Sequence, residues 1–274
     1  MKTENSEAAR SVLAKELKKH ASPSSLSTSV IGHAHIDTAW LWPLRETRRK
    51  TLRTFASQID LIHKYPSYKF GASAAQHYQW VQDEQPALYR KIQDAVAKGR
   101  WEIQGGMWVE ADCNLISGES MVRQILAGKN FFKKEFGKEV RTCWIPDVFG
   151  YPASMPQILR KSGIDYFLTQ KMSWSKFNEF PHDSFKWRGI DGSEILTHFP
   201  PEYTYNSYAN PADLRKAEKN FHEKDRIDEF MTLLGIGDGG GGPKEEHVEH
   251  ILRAADCESV PRASFGMAED FLTA

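Results

Sequence analysis

The chain has 274 residues, of which 40% are hydrophobic and 12% aromatic, so it is long enough to bury the core of one large domain. Lysine plus arginine and aspartate plus glutamate both number 36, which argues against a nucleic acid or an acidic membrane surface as partner and favours a neutral substrate. The three cysteines form no CxxC pair and are odd in number, which predicts a reducing compartment.

The N-terminal residues 1–25 are polar and predict a helix over 9–18, followed by a serine-rich link over 22–29. They lack the apolar core of a secretory signal, and no apolar run in the chain approaches membrane-spanning length. We therefore expect a cytoplasmic protein without a membrane partner, in which residues 26–274 form the main domain.

Hydrophobic periodicity predicts that strands and helices alternate along residues 26–274. Strands are predicted over 26–31, 68–74, 101–108, 140–145, 166–170, 194–199 and 231–236, with an accessory strand over 185–188. Helices are predicted over 44–64, 76–98, 119–136, 153–162, 211–224 and 244–255. Seven strands that alternate with helices imply parallel crossovers, and hence an α/β fold with either a doubly wound sheet or a closed or nearly closed barrel.

Polar clusters follow the first, fourth and seventh predicted strands, at the carboxyl ends where both architectures carry function. The first cluster contains His33, His35 and Asp37, which would face the same way on an extended backbone. Imidazole and carboxylate ligands suit a catalytic zinc, although histidines near a strand end are often only hydrogen-bonded. The neighbouring Trp40 and Trp42 have flat faces of the kind that stack on sugars, and they are also common core residues.

The other two clusters each contain a conspicuous aspartate. Asp147 has apolar and aromatic neighbours, so its charge needs a cation or a reacting centre, unless it caps the next helix. Asp238 precedes four glycines, which allow close approach to a ligand but lack the ending of a phosphate-binding loop, and a flexible connector is the remaining interpretation. His198 ends the sixth strand and is either a substrate contact or a structural histidine.

With these residues assembled, the chain resembles the N-terminal catalytic domain of the glycoside hydrolase family 38 α-mannosidases over nearly its whole length. Three motifs carry the resemblance: GHAHIDTAWLWP at 32–43, WIPDVFGY at 144–151 and GDGGGGP at 237–243. The residues of these motifs resemble those of the branch found in bacteria and in the cytosolic or vacuolar enzymes of eukaryotes. The resemblance implies a seven-stranded parallel β/α barrel and a retaining hydrolase that uses one zinc ion to cleave terminal α-mannosides.

The resemblance also implies roles for individual residues. His35, Asp37 and Asp147 match zinc ligands, and Asp147 also matches the nucleophile that forms a covalent mannosyl-aspartate intermediate. Asp238 is the candidate general acid, although some family members carry paired aspartates at this place. His33 would orient a ligand instead of binding the metal.

Substrate contacts are expected from Trp40 and Phe149, which match the aromatic wall of the family's mannose site, and from His198. The ligand would be an α-mannoside or a mannose-containing oligosaccharide. The family's fourth zinc ligand is a histidine in a more C-terminal segment, and it has no convincing counterpart here. The family's helical-bundle and β-sandwich regions also do not follow, so we expect a truncated chain with weak zinc binding and low turnover, unless a histidine such as His198 substitutes.

Two other functions stay open. A barrel metallohydrolase of the amidohydrolase type would use His33 and His35 together to bind metal and activate water. A non-catalytic mannose-binding fragment would bind the same sugar without hydrolysing it. The sequence leaves the linkage specificity and the oligomeric state open, and it is compatible with a homo-oligomer.

Overall fold

A computed structural model describes residues 2–20, 24–255 and 257–274. Part of the predicted serine-rich link therefore lies outside the described residues, since residues 21–23 are not among them. Within the described ranges, no helix combines the length and the apolar character that crossing a bilayer requires.

The described residues alternate between strands and helices, as the hydrophobic pattern predicts. The strands are Ser27–His33 (β1), Phe70–Ala72 (β2), Trp101–Ile103 (β3), Thr142–Trp144 (β4), Tyr166–Leu168 (β5), Ser184–Arg188 (β6), Glu194–His198 (β7), Glu229–Leu234 (β8) and Arg262–Phe265 (β9). The helices are Lys2–His20 (α1), Leu44–Lys64 (α2), Ala75–Glu84 (α3), Pro86–Ala97 (α4), Gly118–Phe136 (α5), Met155–Lys161 (α6), Pro211–Asn220 (α7), Glu245–Ala254 (α8) and Ala268–Thr273 (α9), and a 3-10 turn covers Lys171–Trp174.

The strands form two sheets of mainly parallel strands. One sheet has the order β3-β2-β1-β8, with β9 also paired to β1, and the other has the order β4-β5-β7-β6. The pair β6 and β7 is antiparallel. The predicted mixed α/β fold is confirmed, but among the described residues the strands do not join into one closed seven-stranded sheet. Strands β2 to β5 have three residues each, which leaves few positions for a ladder between the two sheets.

A cluster of aromatic side chains packs between the first sheet and the helices that cover it. The rings of Phe55 and Trp101 lie 5.1 Å apart and those of Tyr78 and Phe132 lie 5.4 Å apart, both edge to face. The indole N–H of Trp101 donates to the Tyr78 hydroxyl at 2.8 Å, and that hydroxyl donates to the Ala72 carbonyl at 2.9 Å. The buried polar atoms of these rings are therefore paired, and truncating one ring to alanine would cost about 3–5 kcal/mol.

Two local features differ from the sequence prediction. The single helix predicted over 76–98 is wrong, because Pro86 has no N–H to donate and begins a separate helix, α4. The elements β9 and α9 were not predicted. The α9 N-terminus is capped by Glu102, whose carboxylate accepts from the backbone N–H groups of Ala268 and Glu269 at 2.8 Å each. A cap from so distant a residue leaves no signal in the local sequence.

Candidate active site

The predicted site residues come from segments that directly follow parallel strands of both sheets. His35 follows β1 and Asp238 follows β8 of the first sheet, whereas Asp147 follows β4 of the second. One ligand atom from each of these three residues lies within 4.8 Å of the others. The structure therefore brings together three residues that are far apart in the sequence, at the place where the two sheets meet.

His35 is buried at the centre of a carboxylate cluster. Its Nδ1 lies 2.7 Å from Oε2 of Glu110, and its Nε2 lies 3.3 Å from Oδ2 of Asp147 and 3.4 Å from Oδ1 of Asp37. Glu110 in turn accepts a hydrogen bond from Ser73 Oγ at 2.5 Å. Burial alone would lower the pKa of His35, but the charge of Glu110 and the hydrogen bonds with Asp147 and Asp37 raise it well above its ordinary value.

This donor set fits a divalent cation. If Nδ1 of His35 donates its proton to Glu110, then Nε2 has a free lone pair on the side of Asp37 and Asp147. An imidazole whose other nitrogen is bound by a carboxylate is a common zinc ligand, and aspartate oxygens complete such sites. Without a cation, the imidazole must carry a second proton, on Nε2, so that it can donate a hydrogen bond to the neighbouring aspartates. Of the predicted zinc ligands, Asp37 and Asp147 therefore each lie within 3.4 Å of His35 Nε2. The three residues whose ligand atoms lie within 4.8 Å of one another are instead His35, Asp147 and Asp238, without Asp37.

Asp147 receives three favourable contacts. Its Oδ1 lies 2.7 Å from Nζ of Lys171, and its Oδ2 accepts a hydrogen bond from the Tyr205 hydroxyl at 2.7 Å and lies close to His35. Burial would raise the pKa of Asp147, but the hydrogen bonds from His35, Lys171 and Tyr205 lower it to about 2. Asp147 is therefore ionised at neutral pH, as a nucleophile must be.

The ammonium group of Lys171 lies inside an aromatic cage. Its Nζ is 3.5 Å from the ring centroid of Trp174, 4.7 Å from that of Phe149 and 5.3 Å from that of Tyr205. The rings of Phe149 and Trp174 are nevertheless 59% and 60% exposed. These rings screen the Lys171–Asp147 pair from water and still offer a free face to a ligand, which agrees with a role for Phe149 in a substrate-binding wall.

The segment after Asp37 holds a second exposed aromatic side chain. Trp40 is 58% exposed and packs edge to face on Trp42 at 5.4 Å. The Thr47 hydroxyl accepts from the indole N–H of Trp42 at 3.0 Å and donates to the Asp37 carbonyl at 3.1 Å. Thr47 therefore connects α2 to the segment that carries both Asp37 and Trp40, and it leaves the Trp40 face open.

Tyr205 connects the two candidate catalytic carboxylates. Its hydroxyl oxygen lies 2.7 Å from Oδ2 of Asp147 and 2.8 Å from Oδ1 of Asp238. The backbone carbonyl of Tyr205 accepts a hydrogen bond from Nε2 of His33 at 2.9 Å. Burial lowers the pKa of His33 to about 4, so the ring is neutral and Nε2 carries its proton. His33 thus holds Tyr205 and is not part of the three-residue group that could hold a metal.

His198 is not brought to this cluster. It is buried, and its Nδ1 lies 2.8 Å from Ser184 Oγ, while its Nε2 accepts from the backbone N–H of Met231. Its ring packs edge to face on Phe271 at 4.9 Å. All of these contacts belong to the interior of the fold, so the geometry gives no support to a substrate contact or a metal ligand at His198.

Three residues of the site were not predicted from the sequence: Glu110, Lys171 and Tyr205. Each follows a strand, since Glu110 comes after β3, Lys171 after β5 and Tyr205 after β7. A position after a predicted strand could therefore have identified these residues. The sequence motifs, however, follow only the strands that end in unusual residue clusters.

Comparison with known proteins agrees with this geometry. The family model described as "Glycosyl hydrolases family 38 N-terminal domain" matches residues 25–274. The chain is 45% identical to "Alpha-mannosidase G" of Dictyostelium discoideum over 92% of its own length and 23% of that protein. It is 42% identical to "Alpha-mannosidase 2C1" of Homo sapiens over 93% of its own length and 25% of that protein. The chain thus spans about a quarter of the length of these curated relatives.

A solved structure shows the same fold. The crystal structure of an alpha-mannosidase from Enterococcus faecalis V583 superposes with a TM-score of 0.74 over 90% of this chain and 29% of that one, at 19% identity. The resemblance carried by the three motifs is therefore confirmed by a profile match to nearly the whole chain and by close relatives. The chain belongs to glycosyl hydrolase family 38, and it contains that family's N-terminal domain.

Proposed function

We propose that the chain is the nucleophile- and metal-bearing part of a zinc-dependent, retaining α-mannosidase that hydrolyses terminal α-mannosides. The observation that carries the proposal is the spacing of Asp147 and Asp238. Both carboxylates contact the same Tyr205 hydroxyl, and a ligand atom of one lies within 4.8 Å of a ligand atom of the other. Retaining glycosidases hold their two carboxyl groups about 5–5.5 Å apart, whereas inverting enzymes need a wider gap for water.

Asp147 would act as the nucleophile and Asp238 as the general acid. Asp147 bonds to the anomeric carbon while the glycosidic C–O bond breaks, and Asp238 gives its proton to the departing oxygen. The acid then takes a proton from the water that releases mannose. The Tyr205 hydroxyl lies within hydrogen-bonding distance of both carboxyl groups. Lys171 contacts Asp147 and favours its ionised form, as the proposed nucleophile requires.

His35, Asp37 and Asp147 would hold the zinc ion. When bound, the ion supplies positive charge that keeps Asp147 ionised and attracts sugar hydroxyls. Glu110 orients His35 by accepting the Nδ1 proton, which leaves Nε2 for the metal. The family resemblance assigns a fourth ligand to a histidine in a more C-terminal segment.

The substrate would be a terminal α-mannoside or a mannose-containing oligosaccharide, with Trp40 and Phe149 against the C–H faces of the sugar. The exposed rings of both residues and the names of the relatives support this choice. We also propose that residues 26–274 form one domain in which the two sheets are parts of a seven-stranded barrel, and that the protein acts in the cytoplasm.

The amidohydrolase alternative is less well supported by the geometry. It requires His33 and His35 to bind the same metal, whereas Nε2 of His33 is engaged by the Tyr205 carbonyl. A non-catalytic mannose-binding fragment has the same site residues and differs only in the absence of hydrolysis.

Covalent trapping distinguishes these possibilities even when turnover is slow. We expect a 5-fluoro-α-mannosyl fluoride, incubated with the chain and zinc, to add one mannosyl group, which peptide mass spectrometry maps to Asp147. The control variant Asp147→Asn should not be labelled. Stabilisation by mannose without any label would instead support the binding fragment, and a label on another residue would contradict the assignment of the nucleophile.

A further inference from the structure

The general-acid candidate Asp238 lies on a turn that is held by side chains of α2. We propose that Arg53 and Gln58 are positioning residues that hold this turn against the site and thereby set the place from which Asp238 delivers its proton. The inference rests on the proposed function, because it assumes that Asp238 is the acid.

The turn at Asp238 is conformationally unusual. Asp238 has φ of +58°, in the left-handed region that costs a residue with a Cβ about 1–2 kcal/mol. The following Gly239, Gly241 and Gly242 also have positive φ, at +106°, +107° and +73°. Within the turn, the Gly240 N–H donates to the Gly237 carbonyl at 2.7 Å and the Gly242 N–H donates to the Ile236 carbonyl at 2.9 Å. A run of glycines can adopt many other conformations, so contacts from outside the turn add to these bonds in selecting this one.

Two side chains of α2 supply such contacts. Nη2 of Arg53 donates to the Gly239 carbonyl at 2.8 Å. Nε2 of Gln58 donates to the carbonyls of Gly241 at 2.8 Å and Pro243 at 3.0 Å. Gln58 is fully buried, and its own carbonyl accepts from a tyrosine hydroxyl at 2.6 Å, so the direction of its amide is defined. The three carbonyls lie one, three and five positions after Asp238 and are all held from the side of α2.

The glycines of the turn at Asp238 allow α2 to lie close to its backbone. A Cβ on Gly239 would lie 2.7 Å from Cδ of Lys50, and a Cβ on Gly242 would lie 3.2 Å from Nε2 of Gln58. On the opposite side, the Gly239 N–H donates to the His35 carbonyl at 3.3 Å. The turn is therefore held between α2 and the segment that carries the metal-ligand candidate, which makes the position of Asp238 dependent on both.

Amide hydrogen exchange tests the positioning contacts directly, without any need for turnover. Arg53 is exposed apart from its contact with the turn, so Arg53→Met should fold normally. We expect the Gly239 and Gly240 amides to exchange at least about tenfold faster in Arg53→Met and to recover partly in Arg53→Lys. Arg49→Met is the matched control on the same helix, since Arg49 contacts Glu46 instead. Unchanged exchange at these glycines in Arg53→Met would overturn the proposal.

Leaving-group kinetics then test the function of the positioning. Proton donation matters most when the departing phenol is a weak acid, so Arg53→Met should lower kcat/KM, which reports on the step that expels the phenol, about tenfold for phenyl α-mannoside and less than about twofold for the 2,4-dinitrophenyl substrate. Asp238→Asn should show the same pattern with a larger loss. If Asp238→Asn lowers kcat/KM equally for both substrates, Asp238 is not the acid. If it shows the pattern and Arg53→Met does not, the positioning role is overturned.

Discussion

The Nζ atom of Lys171 lies 2.7 Å from Oδ1 of Asp147, inside the cage formed by Trp174, Phe149 and Tyr205. The lysine side chain is only 3% exposed. Burying such an ion pair contributes little to stability, because both charges lose their hydration. In the proposed function, the contact with Lys171 favours the ionised form of Asp147 and fixes the direction of its carboxylate.

We expect Lys171→Met to lower kcat/KM for aryl α-mannosides by about 10–100-fold, since a hydrogen bond to a charged group contributes about 1.5–3 kcal/mol. Methionine keeps the length and the aromatic contacts of the side chain but removes the charge. The measurement is the rate of hydrolysis or of covalent trapping. Lys176→Met, at an exposed lysine of the same segment, is the control and should stay within about twofold. Equal losses in both variants would argue against a specific role for Lys171.

Tyr205→Phe removes only the hydroxyl that bridges Asp147 and Asp238. We expect kcat to fall by about 10–100-fold, because the hydroxyl that contacts both carboxyl groups is lost, while zinc affinity changes much less. Steady-state kinetics and zinc titration measure the two effects. Tyr208→Phe alters a tyrosine outside the cluster and should leave kcat within about twofold. A large loss of zinc affinity in Tyr205→Phe would mean that the hydroxyl organises the metal site instead of the acid and nucleophile.

His35→Ala and His33→Ala should have different effects on metal binding. Nε2 of His35 lies beside Asp37 and Asp147, whereas Nε2 of His33 is bonded to the Tyr205 carbonyl. We expect zinc affinity to fall more than about 100-fold in His35→Ala and less than about tenfold in His33→Ala, measured by competition with a chelating dye. Similar losses in the two variants would revive the amidohydrolase alternative.

Glu110→Gln tests the partner that orients His35. The amide cannot serve as the same charged acceptor for the Nδ1 proton, so the imidazole loses its defined tautomer. We expect zinc affinity to decrease by about 10–100-fold, as for other residues that support a metal ligand. Glu119→Gln, at an exposed residue paired with Arg123, is the control. Unchanged zinc affinity in Glu110→Gln would show that the carboxylate does not support the metal.

His198 should make stability depend on pH. Burial lowers its pKa in the folded protein to about 3, below the unfolded value of 6.5. The unfolded chain therefore binds the extra proton between these values, and the free energy of unfolding contributed by this group falls as the pH decreases below 6.5. We expect His198→Gln to reduce the slope of the free energy of unfolding against pH by about 1.4 kcal/mol per pH unit. Urea unfolding between about pH 6.5 and 4.5 measures this slope. An unchanged slope would show that His198 has the same pKa in the folded and the unfolded protein.

The sequence was sufficient to predict the residues that stand out locally. His35, Asp147 and Asp238 each follow an apolar strand in an unusual setting, and parallel strands bring such positions to one end of a sheet. It could not reveal Lys171 or Tyr205, because an isolated lysine or tyrosine in a loop is ordinary. Their importance comes only from contacts with Asp147 that the folded chain creates.

The secondary structure was likewise predictable from the sequence only in part. The helix Leu44–Lys64 begins and ends where the periodicity and Pro66 predict. The break before Pro86 and the capping of α9 by Glu102 were missed, the first because a strong apolar pattern continues across the proline, the second because the cap is a long-range contact.

The two-sheet origin of the site has a mechanical consequence. The first sheet carries His35 and Asp238, and the second carries Asp147. A small shift between the sheets would change the distance between Asp147 and Asp238, so we expect the proposed hydrolysis to be sensitive to how the two sheets pack. The rate of the proposed hydrolysis would then report on how closely the two sheets stay packed.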